Sequence, residues 1–255
     1  PSPARINSVY FKQGAKGSVI IGMYIGYHSS PVTVDADEIS ILRNKIDFKY
    51  RGIEIRNNRK DIIINGNDIY GGNNTSPHYA CIYFSSNVFN IIVNNNILKR
   101  HHISYYAFYG STSAGNIIFS HNIINGKVKM YNAVVINNIM VGGSWERSST
   151  YPNSESFNIS AGNEFVSGNG NQNNVVMTDV FLNTGSTNGK KYKLKVGSPA
   201  IGQGSGGLDI GIFGGSQPFQ LSGMPAIPSI FNLVTSSAGS SETGLSVTVK
   251  AKSHK

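Results

Sequence analysis

The densest run of groups able to do chemistry is Lys99-Arg100-His101-His102-Ile103-Ser104-Tyr105-Tyr106. Cations beside aromatic rings suit an anionic sugar polymer: Lys and Arg engage carboxylate or sulfate, and Tyr rings stack on sugar faces. His78, in Pro77-His78-Tyr79, lies in a neighbouring insertion, and Arg56, Tyr83 and Lys129 fall at outward positions of alternating segments. The competing reading makes Tyr105, Ala107 and Tyr109 one face of a strand and leaves the basic residues solvated.

A catalytic use of the same groups is β-elimination. Lys99, Arg100, His101 or His102 would take the proton α to a uronate carboxylate while Arg56 neutralises the acid. Hydrolysis needs two opposed carboxyls. The chain has 13 acidic residues, and few recur on neighbouring repeats. Glu38 shares a column with Asp61, where each reads more simply as a turn cap. Asp35 and Asp37 offer two ligands for Ca²⁺ or merely a solvated turn. His101 and His102 are adjacent, so on a strand they face opposite sides and make no metal pair. The single cysteine, Cys81, sits in an apparent strand and reads as a packed thiol; it excludes an internal disulfide. Trp145 serves either as a sugar platform or as a lid on the core.

These groups are positioned by a repeat. Asp61-Ile62-Ile63-Ile64-Asn65-Gly66-Asn67-Asp68-Ile69 is a β-rich triplet, a turn, an Asn and an apolar residue two places on. It returns around Ile39, Ile91 and Ile117, and one residue shorter around Val134 and Ile159; weaker copies start at Val19 and Val175. Position 67 and its equivalents (23, 44, 96, 122, 138, 163, 179) are 16 to 29 residues apart. A strict strand pattern with elastic loops predicts a β-solenoid of about eight coils. Alternation puts the first and third triplet residues inside. The Asn column suits a sharp left-handed bend whose amides bond from rung to rung. Gly52–Arg56, Ala80–Phe84 and Lys127–Met130 predict a second sheet. A leucine-rich repeat is disfavoured by the scarcity of Leu.

The stacked Asn turns resemble the Asn ladder of right-handed parallel β-helices in the pectate-lyase-like superfamily, with Met23 and Asp179 departing from it. The resemblance implies an all-β, right-handed parallel β-helix. Lyases of that superfamily use Ca²⁺ with an Arg or Lys base, and hydrolases use groups of Asp. No Asn-Thr-Asp, Asp-Asp or Gly-His signature stands here. Gly197-Ser198-Pro199-Ala200-Ile201-Gly202 followed by Asp209-Ile210-Gly211-Ile212-Phe213-Gly214-Gly215 is similar to the ending of secreted bacterial β-helix proteins. With the tail, it resembles surface proteins of Bacteroidetes-type bacteria. That implies an extracellular or cell-surface location.

The expected organisation is coils over 1–181, a C-terminal cap over 182–222, and a Pro-containing linker with a β-hairpin tail over 223–255. Repeat-like sequence soon after Pro1 suggests a piece of a longer protein lacking its first coils. Charged residues are only 14% of the 255, with a net charge of +9, which favours a polyanion; without a groove-entering helix, that is polysaccharide rather than nucleic acid. No apolar run approaches the ~20 residues of a membrane span. Two functions therefore stand first: a non-catalytic module binding acidic polysaccharide, or a polysaccharide lyase, the latter with Ca²⁺ as its possible cofactor. A structural surface protein with a protein partner is the third.

Overall fold

A computed structural model of the protein describes residues 5–72, 76, 79–221, 229–235 and 247–252. The fold is a parallel β-helix. Three parallel sheets are built in rotation, each coil giving one strand to each. Sheet A has eight strands, from Arg5–Ile6 to Ile159–Ser160. Sheet B has seven, from Val9–Phe11 to Trp145–Glu146, and sheet C has seven, from Val19–Ile21 to Ser154–Ser156. Sheet C holds the triplets and sheet B the second strands. The residues after each Asn, expected only as an apolar follow-on, form sheet A.

Alternation works as expected in the middle of sheet C. The copies at Val19 and Val134 begin one residue earlier than expected: Ile20 and Val135 take the inward places, and Val19, Ile21 and Val134 are exposed. Ile62, Ile64, Ile91, Val93, Ile117 and Phe119 point inward and are buried, whereas Ile63 and Ile118 point outward and are about 40% exposed. They meet Ile46, Ile69, Leu98 and Ile124 of sheet A and Ile53, Ile82, Phe108 and Val128 of sheet B in one core.

The corner between sheets C and A carries the Asn ladder. The Oδ1 atom of each Asn accepts from the backbone N–H of the preceding rung at 2.9–3.0 Å, running through Asn44, Asn67, Asn96, Asn122, Asn138, Asn158 and Asn171. Met23 occupies the first position through its backbone alone. Two expectations change. The left-handed residue is not the ladder Asn but the one before it: Gly22, Arg43, Gly66, Asn95, His121, Asn137, Phe157 and Gly170 all have φ between 54° and 73°. The last rungs are also displaced: the ladder uses Asn158 and Asn171, not Asn163 and Asp179. The sheet C strand of that coil is Ser154-Glu155-Ser156, so the apolar-triplet pattern passes over it. Glu155 points inward, and its carboxylate accepts from Arg147 at 2.8 and 3.1 Å and from the Val166 N–H at 3.0 Å. Val175-Val176-Met177 is no rung; Val176 is exposed and Met177 opens the helix Met177–Val180.

After the coils the chain runs back along the flank. Outward-facing Ile97, Ile123, Ile139 and Ile159 of sheet A are buried beneath Val180, Phe181, Ala200, Ile210 and Ile212, forming a second apolar layer. Asn95 donates to the carbonyls of Ile212 and Gly214, the Ser205 N–H donates to Asn137, and Asn188 of the short helix Asn188–Lys191 donates to Asp68. Gly211, at φ 91°, lets this strap lie close; a Cβ there would stand 2.8 Å from the Ile139 side chain. Where an end cap was expected, the described contacts of 182–221 thus run mainly along the flank; Pro199 accepts from Gln172 near the last coil. Ser229–Thr235 and Val247–Lys252 pair antiparallel, as the tail hairpin expected from their alternation.

Candidate functional site

The basic-aromatic run does not form one patch. Its residues straddle the corner between sheets A and B, because the sheet A strand Ile97–Arg100 ends there and the sheet B strand Tyr106–Tyr109 begins after a turn. Lys99 faces out from sheet A with its Nζ 5.5 Å from the Tyr70 ring, and the Tyr70 hydroxyl lies 3.1 Å from His101 Nδ1. His102 is exposed beside Tyr105, at 5.5 Å between ring centroids.

Arg100 is removed from the candidate site. It is 1% exposed, with its guanidinium 5.3 Å from the Phe48 ring and 5.4 Å from that of Tyr105. Gly72 leaves the room, since a Cβ there would meet Nη1 at 2.3 Å. Burial pulls its pKa below the usual arginine value. Arg56 lies on an early sheet B rung, 5.1 Å over the Tyr10 ring, whereas Lys99 belongs to sheet A. His78 lies outside the described residues.

The groups that do come together sit on the outer face of sheet B. Aligning its strands by their inward residues brings Glu54, Tyr83, Tyr109, Lys129 and Glu146 into one column. Tyr83 and Tyr109 stack 5.3 Å apart at 10°. Arg51, bonded to Glu54 at 2.6 Å, covers the far side of Tyr83 at 4.0 Å, and Lys129 lies 5.2 Å from the Tyr109 ring. The ring faces are thus occupied by each other and by cations. Stacking of Tyr83 on a sugar gives way to a surface of phenol hydroxyls and charged heads. Burial raises the Tyr83 pKa, keeping its hydroxyl a neutral donor.

Further along, Tyr106 donates to Glu146, whose carboxylate also lies 3.9 Å from Lys127 and 3.8 Å from Lys129. Burial, then the bond to Glu146, hold the Tyr106 hydroxyl well above the ordinary tyrosine pKa. Beside this row is a cleft of about 450 Å³, lined by Tyr83, Tyr109 and Lys129 and closed by Asn57, Ser85, Ser111 and Tyr131.

No protein-family model, curated protein or solved structure matches this chain.

The remaining acids have local duties. Asp35 and Asp37 lie 3.7 and 3.8 Å from Arg59. Glu38 and Asp61 share the column expected of them, both at φ 60°; Glu38 pairs with Lys16, and Asp61 accepts from Asn90. Glu54 and Glu146 are four rungs apart, about 19 Å at ~4.8 Å per strand, twice the widest separation glycoside hydrolysis uses. Cys81 is buried, with its thiol pushed up to about 12 by burial, as a packed thiol should be. Arg51, Tyr109, Lys127 and Glu146 were not singled out from sequence. Register across sheet B, not clustering along the chain, is the signal that finds them.

Proposed function

We propose that the chain is a right-handed parallel β-helix of the pectate-lyase-like kind, secreted or on a bacterial surface, which binds an acidic polysaccharide without cleaving it. The last part of the strap closes the solenoid end in this reading, as in the Bacteroidetes-type surface proteins it resembles. The observation that carries the proposal is the outer face of sheet B: Arg51, Tyr83, Tyr109 and Lys129 in one row, with Lys127 and Tyr106 beside it and a hydroxyl-lined cleft along its edge.

A rigid row spaced by the ~4.8 Å strand repeat matches an extended polymer lying along the solenoid axis. Lys127, Lys129 and Arg51 attract its carboxylate or sulfate groups; Ser85, Ser111 and Asn57 serve its hydroxyls. Since Glu54 and Glu146 already pair with these cations, each contact is a modest exchange of partners. Affinity then comes from several contacts along one chain and falls with added salt.

The test is retardation of the protein in native gels containing polygalacturonate, alginate or chondroitin sulfate, against neutral dextran. Retardation by an acidic polymer, weakened about tenfold by Lys127→Ala with Lys129→Ala (~1.4 kcal/mol), supports the reading; equal mobility in all gels overturns it. The lyase alternative draws on Lys99, Tyr70 and His101 of sheet A, and the ultraviolet absorbance of an unsaturated uronate distinguishes it.

A further inference from the structure

The left-handed corner column has a second use. On the later coils its side chains hold the strap: Asn95 donates to Ile212 and Gly214, His121 packs against Gly214 and Gly215, and Asn137 accepts from Ser205. On the early coils the column reads Gly22, Arg43, Gly66, and among the described residues none of these three bonds to the strap, which is held there instead by Asn65 to Gln217 and by Asn188 to Asp68. A cavity of about 260 Å³ stands there, walled on the strap side by Phe219 and Leu221 and on the solenoid side by Met23, Arg43 and Lys45.

Arg43 differs from every other member of its column. It is the one cation, it lies between two glycines, and its stem fills the space a Gly66 side chain would need, at 3.3 Å. Among the described residues its guanidinium has no hydrogen bond, ion pair or aromatic partner. Arg43 is part-buried, and a guanidinium without a protein acceptor at the mouth of a half-apolar cavity favours an incoming anion. Lys45 adds a second positive charge at the exposed edge. Asp68, the one acid on the wall, accepts from Asn188, and burial raises its pKa.

We propose that this cavity binds one small sugar acid, its carboxylate on Arg43 and Lys45 and its ring against Phe219 and Leu221. The volume falls just below the ~300–1,000 Å³ of pockets for drug-sized ligands, so the ligand is a single ring and not an oligomer. The site is on the sheet A flank, and it does not depend on the polymer-binding face of sheet B.

Titration calorimetry with glucuronate, glucose and inorganic phosphate tests it on the full chain, alongside Arg43→Gln and Gly66→Asn. The second variant places in the gap a residue the same column carries elsewhere, one that tolerates the left-handed backbone. Saturable one-to-one binding of glucuronate is expected, at least tenfold weaker for glucose. Both variants, with melting curves like the wild type, should lose at least tenfold in glucuronate affinity. Phosphate bound as tightly as glucuronate would refute the sugar-acid class. Absence of glucuronate binding, or undiminished binding by both folded variants, would refute the site.

Discussion

Asn96→Ala probes the ladder at its centre. The Asn96 Oδ1 atom accepts from the N–H and the side-chain amide of Asn67, both at 2.9 Å. Its Nδ2 donates to Ile64, Asn94 and Asn122 at 2.8, 2.9 and 3.1 Å. Asn96 is fully buried, so water cannot replace these partners. At a net ~1 kcal/mol per bond, and more where a buried group is left unmet, the loss comes to about 4–5 kcal/mol, well above the ~1 kcal/mol of an average substitution. Asn44→Ala, at the start of the ladder, removes fewer bonds: one acceptance from Met23 and donations to Ile20 and Asn67. With three bonds against five, its cost should be about 2–3 kcal/mol on the same scale. Urea unfolding followed by circular dichroism measures both. Equal costs at the two positions, or an Asn96 cost below 1 kcal/mol, would refute the claim that the ladder acts as a cooperative buried network.

Three further outcomes follow from other contacts. Arg147→Ala leaves the Glu155 carboxylate buried without its cation and should cost about 3 kcal/mol; adding Glu155→Val, which restores an inward apolar residue, should recover most of the lost melting temperature. His121 is buried with its pKa lowered by desolvation, so the unfolded chain binds its proton more readily. Stability is therefore complete above the unfolded value near ~6.5 and declines as pH falls below it, with a slope of at most ~1.4 kcal/mol per unit; His121→Asn, the type found at 95 and 137, should flatten that slope in urea midpoints taken from pH 7 to 5. Ile123→Asp puts a charge under the strap, and proteolysis should then cut within 182–221 before the coils; unchanged cleavage would contradict the second apolar layer.

The solenoid was legible because its core obeys a simple alternation. Ile62-Ile63-Ile64, Ile91-Ile92-Val93 and Ile117-Ile118-Phe119 carry it openly, and Asn67, Asn96 and Asn122 mark the corner. The pattern failed where a polar strand entered the core, at Glu155, since an ion pair there substitutes for an aliphatic residue. The strap also left a trace: Lys45-Ile46 and Asp68-Ile69 give way to Ile97-Leu98, Ile123-Ile124 and Ile139-Met140, apolar on both faces where a second layer covers the sheet. The candidate site was harder to read. Lys99 through Tyr106 are neighbours in sequence but turn a corner, whereas Tyr83, Tyr109 and Lys129 lie 20 or more residues apart and meet only through parallel register.

Hydrogen exchange with and without the retarding polysaccharide tests the central claim most directly. The rim of the sheet B cleft, residues 85–87 and 111–113, is accessible enough to respond. Slowed exchange there, with sheet C and the strap unchanged, is the predicted result. Slowing confined to sheet A or sheet C, or none anywhere at saturating polymer, would contradict binding along sheet B.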